Sequence, residues 1–230
     1  MNGAWKRLRV ALPALVAFGC ATTGSPSAIA PALVSADGDA LAVCDALETL
    51  IDDGRDTPSD REFAYASVLS SRDDGGPGTP YARAAVTGRF IQQKGLRAAA
   101  LVSDVERNAI ESRARDPEFR SGAATRLLGT LYVMAPASLL SHGNSELGIE
   151  LLEGQAKKYP DDLENHLRLA EAYLALGDTK PALPHLCLCL AEKMELRRSD
   201  QLLLDQLVVG AGMPGCLEVT PTSQVKRRSL

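Results

Sequence analysis

Apolar positions recur at three- and four-residue spacing from residue 37 to about 213, the pattern of helices packed by one face. The clearest stretch runs from Leu163 to Glu192. Its first half sets Leu167, Ala170, Tyr173 and Leu174 on one face, and Gly177-Asp178 then breaks the period. A glycine just past a helix suits a left-handed cap. Pro181 follows at a first-turn position, where a missing N–H has no helical partner to lose. Ala182, Leu186, Cys189 and Leu190 line the inner face of the second helix, so the stretch predicts a helix hairpin. The same reading predicts a helix over Asp39 to Asp53, with Leu41, Cys44, Leu47 and Leu50 on one face, and another over Asp60 to Arg72. Asp73-Asp74-Gly75-Gly76-Pro77-Gly78 is a loop. Two looser hairpins occupy 79–117 and 124–160, the latter with about seven extra residues, Val133 to Leu139, around Pro136. Ser199 to Gly210 predicts a last helix that caps the stack. Helix-forming Ala and Leu dominate, and no alternating stretch is long enough for a sheet, so the predicted class is all-α.

The hairpin of 163–194 resembles the tetratricopeptide repeat. That family places a small residue, a tyrosine three positions later, a Gly-Asp turn and an alanine on the second helix, and Ala170, Tyr173, Gly177-Asp178 and Ala182 occupy those places. Cys189 holds the later small packing position, and Met194 stands where the family closes with proline. Gly129, Tyr132, Gly143-Asn144, Gly148, Leu152 and Pro160 fit the repeat of 124–160. Gly88, Ile91, Gly95, Ala100 and Asp116-Pro117 fit that of 79–117. The resemblance implies a right-handed stack of helix pairs, each burying its apolar face on the next.

The first residues change the picture. Lys6, Arg7 and Arg9 precede a short apolar run, Val10 to Phe18, and then Gly19-Cys20. A basic region, an apolar region too short to span a bilayer and a small-residue cleavage point make a secretory signal over 1–19. Ala17-Phe18-Gly19-Cys20 resembles a lipobox, with Ala17 where leucine is usual, and so implies lipid attachment at Cys20. Ordinary cleavage after Ala36 is the alternative, but the apolar run adjoins Cys20 and lies far from Ala36. Ala21 after the cysteine resembles the outer-membrane sorting pattern of Gram-negative lipoproteins. Residues 20–36, rich in Ala, Ser, Thr, Gly and Pro, read as a flexible tether, and 214–230 as a disordered tail. Loss of the leader takes the formal charge from −4 to −7, which argues against nucleic acid as a partner. Cys44, Cys187, Cys189 and Cys216 remain as disulfide candidates in an oxidising compartment. Cys187 is the better one, with Cys216 or Cys44, and Cys189 reads as a small core residue.

Residues 78 to 192 resemble the T-component lipoproteins of TRAP transporters. The resemblance rests on a helix broken at Ala135-Pro136, a Gly-Asp-like turn and the helix start Glu164-Asn165-His166-Leu167. The mature cysteines are not part of that family's pattern. By this resemblance the protein is a periplasmic, lipid-anchored module that works beside a solute-binding protein. A general scaffold for envelope assembly and a carrier for a small apolar ligand are the other readings. Tetratricopeptide arrays line a concave groove with their first helices, which would place Glu164, Leu167, Glu171 and Leu174 in the partner groove; Leu167 and Leu174 packing on a neighbouring repeat is the alternative. No cofactor or catalysis is expected. Gly75-Gly76-Pro77-Gly78-Thr79 lacks the Lys of a phosphate loop, no G-x-S-x-G occurs, and Asp37, Asp39 and Asp45 lack the rest of a calcium loop. His185, Cys187 and Cys189 do not make a metal site, because helix positions two apart point in nearly opposite directions. His142 and His166 are too scattered in sequence to add to them.

Overall fold

The computed structural model describes residues 28–211. The leader, Cys20, the start of the tether and the tail of 214–230 lie outside that range. Among the described residues all regular structure is helical. The ten α-helices are α1 (Pro31–Ala36), α2 (Ala40–Asp52), α3 (Pro58–Ser70), α4 (Gly78–Lys94), α5 (Val102–Arg115), α6 (Ala123–Met134), α7 (Ser145–Lys158), α8 (Leu163–Ala175), α9 (Thr179–Ala191) and α10 (Arg198–Gly210). None is long and apolar enough to cross a membrane.

Local chemistry sets the helix ends. Asp39 caps α2 by accepting from the N–H groups of Leu41 and Ala42, at 3.0 and 3.1 Å. Thr57 and Asp60 form a reciprocal capping box, so α3 begins at Pro58, two residues before the predicted start. Asn144 caps α7 by accepting from Leu147 N–H, and Asp162 caps α8 by accepting from Glu164 N–H. At the end of α8, Gly177 has φ +85°, Asp178 N–H reaches Tyr173 O at 2.8 Å, and Gly177 N–H reaches Leu174 O at 3.0 Å. These are the two bonds of a Schellman cap. α9 also tolerates an interior proline, Pro184, on its exposed side. The predicted loop around Pro136 starts later than expected, since Val133 and Met134 complete α6. The buried carboxylate of Glu106 on α5 holds this loop, accepting from the N–H groups of Ser141 and His142 at 2.8 and 2.7 Å.

Helices α2 to α9 form four hairpins. The first members α2, α4, α6, α8 and then α10 touch in succession, and α10 returns to touch α2. The second members lie outside this circuit. The core is distributed along it as four apolar clusters. Leu33, Leu47 and Val68 belong to the cluster of α1–α4, and Val105, Leu128 and Tyr132 to that of α4–α7. Leu152 and Leu169 join α7 to α8, and Leu167, Leu186 and Leu204 join α8, α9 and α10.

Two expectations change. The tether does not extend to residue 36: α1 packs on α2 and α3, Leu33 is fully buried, and Ala30 N–H donates to Asp60 at 2.8 Å. The short apolar run around Leu33 gains burial by docking, which composition does not reveal. The last helix also does more than cap an end, because it closes the chain on its own first long helix.

The α6–α7 hairpin approaches most closely at two glycines. A Cβ on Gly148 would lie 2.8 Å from Gly129 O, whereas one on Gly154, an exposed position of the same helix, would meet nothing within 4 Å. Gly148→Ala therefore overpacks a backbone contact and should cost about 1–3 kcal/mol. Gly154→Ala should add about 0.5–1 kcal/mol by removing backbone entropy. Thermal melts of the two variants should move in opposite directions, by roughly 2–4 °C per kcal/mol. A shared sign would contradict this packing.

Candidate partner-binding site

The polar side of α2 carries Asp45, Glu48 and Asp52, spaced by three and four residues, and each serves a different element. Asp45 takes a two-pronged bond from Arg120 at 2.6 and 2.7 Å. Arg120 and Ser121 adopt left-handed φ values of 50° and 55°, and this ion pair helps hold their strained turn. Glu48 takes Arg89 through both oxygens at 2.7 Å. Asp52 accepts from the N–H and hydroxyl of Ser199 at 3.0 and 3.1 Å.

From Glu48 the charges continue around the circuit. Arg197 lies 3.7 Å from Glu48, 3.5 Å from Glu164 and 3.3 Å from Asp200. Arg126 pairs with Glu164 at 3.0 Å, and Arg168 bridges Asp200 at 2.7 Å and Glu171 at 3.1 Å. Burial pushes the Glu164 carboxyl up, but Arg126, Arg168 and Arg197 together outweigh it and hold the group below its ordinary value. Burial prevails at Asp200, whose carboxyl is raised despite Arg168 and Arg197.

The four residues expected in one groove separate. Leu167 is fully buried in the α8–α10 cluster and belongs to the core. It faces Leu186 and Leu204, because α10 covers that part of α8. Glu164 belongs to the ionic lattice. Glu171 and Leu174, about two and three turns beyond Glu164 on α8, do come together. They line a cleft of about 420 Å³ with Met134, Ala175, Thr179, Leu207 and Ala211, where α6, α8 and α10 end. Met134 is half exposed there, so the cleft offers apolar surface beside one carboxylate.

A second cavity, of about 350 Å³, lies among α7, α8 and α9 and is lined by Glu153, Lys157, Tyr173, His166 and His185. His166, set apart as too scattered in sequence, faces His185 with 2.8 Å between their Nδ1 atoms. His166 Nε2 is 2.9 Å from Pro160 O, which only accepts, so this nitrogen carries the hydrogen. In the neutral pair His166 Nδ1 then accepts from His185 Nδ1–H. The ring centroids are 5.1 Å apart, so the nitrogens meet nearly head-on, as in a hydrogen bond. Tyr173 donates its hydroxyl to Glu153 beside them. Neither side chain was singled out from sequence for this role; the signal available was Tyr173 and His185 as hairpin residues on facing helices. Among the described residues no three His, Cys, Asp or Glu side chains gather as metal ligands.

Cys44 and Cys189 are free and buried, and burial pushes each thiol up to about 12. Cys187 is disulfide-bonded. Cys44 is therefore not its partner; Cys216, the other candidate, lies outside the described residues, as does Cys20.

Burial, and then the proximity of His166, hold His185 below the ordinary imidazole value of 6.5. The unfolded chain binds this proton more readily than the folded one. The stabilisation is complete above pH ~6.5 and declines as pH falls below it. Melts between pH 7.5 and 5 should show a decline that is shallower for His185→Gln, which keeps a donor for His166. Equal slopes would remove the pair from the pH response.

Compared with protein families and with curated proteins, the chain matches none.

Proposed function

We propose that this chain is an exported, lipid-anchored binding module that docks a protein partner in the cleft between the ends of α8 and α10. The observation that carries the reading is the cleft itself, where Met134, Leu174 and Leu207 meet solvent beside Glu171. A mixed apolar and acidic cleft of this kind suits a helix or extended peptide with apolar anchors and a basic residue. The leader and the lipobox-like Cys20 support export and anchoring, with the outer membrane of a Gram-negative envelope as the destination. The disulfide at Cys187 supports an oxidising compartment. The tetratricopeptide-like hairpins and the resemblance of residues 78 to 192 to T-component lipoproteins favour a periplasmic solute-binding protein as the partner. An envelope-assembly scaffold would use the same cleft. An apolar-ligand carrier is less favoured, because the helices of the circuit bring together the charged pairs of Glu48, Arg89, Arg126, Glu164 and Arg197.

Leu174→Glu should leave the fold intact and reduce recovery of the partner from periplasmic extract at least tenfold, read by mass spectrometry against wild type. Leu202→Glu, at an exposed position on the outer side of α10, is the control and should recover the partner normally. Equal recovery by both variants would remove the cleft from the interface. Cys20→Ser should move the protein from the membrane to the soluble periplasmic fraction and abolish palmitate labelling. Unchanged fractionation would end the lipoprotein reading.

A further inference from the structure

We infer that the first turn of α10 is an ionic strap that closes the helical circuit and sets the width of the cleft; this rests on the cleft reading above. Three observations carry it. First, the contact between α10 and α2 is made by polar groups. Ser199 N–H and hydroxyl bond Asp52, Arg198 Nη1 reaches Asp53 O at 3.3 Å, and Arg197 lies 3.7 Å from Glu48. None of the four apolar clusters of the described residues joins these two helices, whereas α10 is tied to α8 and α9 through Leu203, Leu204, Leu207 and Val208. The junction thus lacks the burial that secures the other junctions of the circuit.

Second, α10 has no cap of its own. Its N-cap residue, Arg197, bonds the Asp200 carboxylate but caps no backbone N–H of the helix, and the carboxylate of Asp52 takes the Ser199 N–H from across the junction. A helix N-terminus carries partial positive charge, and a carboxylate placed there satisfies a donor and the dipole together. The first turn of α10 therefore takes its cap from α2, beside the Arg168–Asp200 bond that ties it to α8. Third, the opposite end of the same helix builds the cleft, through Gln206, Leu207, Gly210 and Ala211. Release from α2 leaves α10 held to α8 by the largely buried Arg168–Asp200 pair and at Leu203, Leu204 and beyond. The helix can then turn about that anchor, away from α2, and the wall formed by Leu207 and Ala211 turns with it. Arg197 is partly exposed, with 41% of its side chain accessible, so salt screens its bonds to Glu48 and Glu164.

The test is amide hydrogen exchange read by mass spectrometry on the purified full-length protein, at low and at high sodium chloride, with Asp52→Ala as a second perturbation. Peptides covering 198–203 should exchange about tenfold faster in Asp52→Ala, within the range for loss of an N-cap. In wild type the same peptides should exchange faster as salt rises, while those of α8 and α9 hold their rates. Because the salt series uses the unaltered chain, poor folding of the variant does not blunt the test. Salt-independent exchange over 198–203 overturns the strap, and so does an equal loss of protection in α8 and α9, which marks general loosening. Exchange needs no partner. A strap that responds to salt while Leu174→Glu recovers the partner normally would overturn the cleft reading alone.

Discussion

Arg197 stands within 3.3 to 3.7 Å of three carboxylates, those of Asp200, Glu164 and Glu48. They belong to α10, α8 and α2, the last two far apart in sequence. The constraint behind this meeting is general: when the first helices of successive hairpins converge, their inward side chains must be apolar and packed, or charged and paired. This chain takes the second course. Arg89, Arg126, Arg168 and Arg197 balance Glu48, Glu164, Glu171 and Asp200, and most are only 3–28% exposed. In such surroundings an unpaired charge is costly, so the arrangement specifies which helices meet more than it adds net stability. The apolar clusters secure each hairpin to the next. The charges determine that α10 returns to α2.

The hairpins were legible in the sequence because their signals are local. Leu47, Leu167 and Leu186 each belong to an apolar row at helical spacing, Gly177 marks a cap, and Asp39 announces a helix start. The cap at Gly177 formed as expected because only a residue free of Cβ adopts φ +85° without strain. The candidate site was less legible. Glu171 and Leu174 were read onto one face, and they share the cleft, but Leu167 on that face is buried by α10, a helix that lies beyond the hairpin partner of α8 in sequence. Periodicity identifies a face; it does not say which neighbour covers it. The His166–His185 bond and the acidic row of α2 depend on long-range contacts in the same way, though the spacing of Asp45, Glu48 and Asp52 was visible as a polar stripe.

Asp60 shows how one side chain links these levels. It completes the capping box of α3 with Thr57 and also receives Ala30 N–H, drawing α1 onto the domain. Burial raises the carboxyl, yet its bonds to Ala30 and Thr57 prevail and hold it below the ordinary carboxylate value. A group that serves two elements makes the position of one depend on the other. Composition alone assigns residues 30–36 to a tether for that reason, since the partner that orders them is a helix cap and not a run of apolar residues.

The same dependence explains why the cleft lies where it does. Each first helix from α2 to α8 has a second helix behind it, and α10, among the described residues, has none. Leu202 and Val209 on its outer side are accordingly 56% and 81% exposed. With one apolar side against α8 and α9, α10 covers Leu167 but ends at Gly210, beside Leu174 and Met134 near the ends of α8 and α6. The surface left there is apolar because the chain builds α6, α8 and α10 to be packed on, and Glu171 stays beside it because Arg168 holds its carboxylate at 3.1 Å.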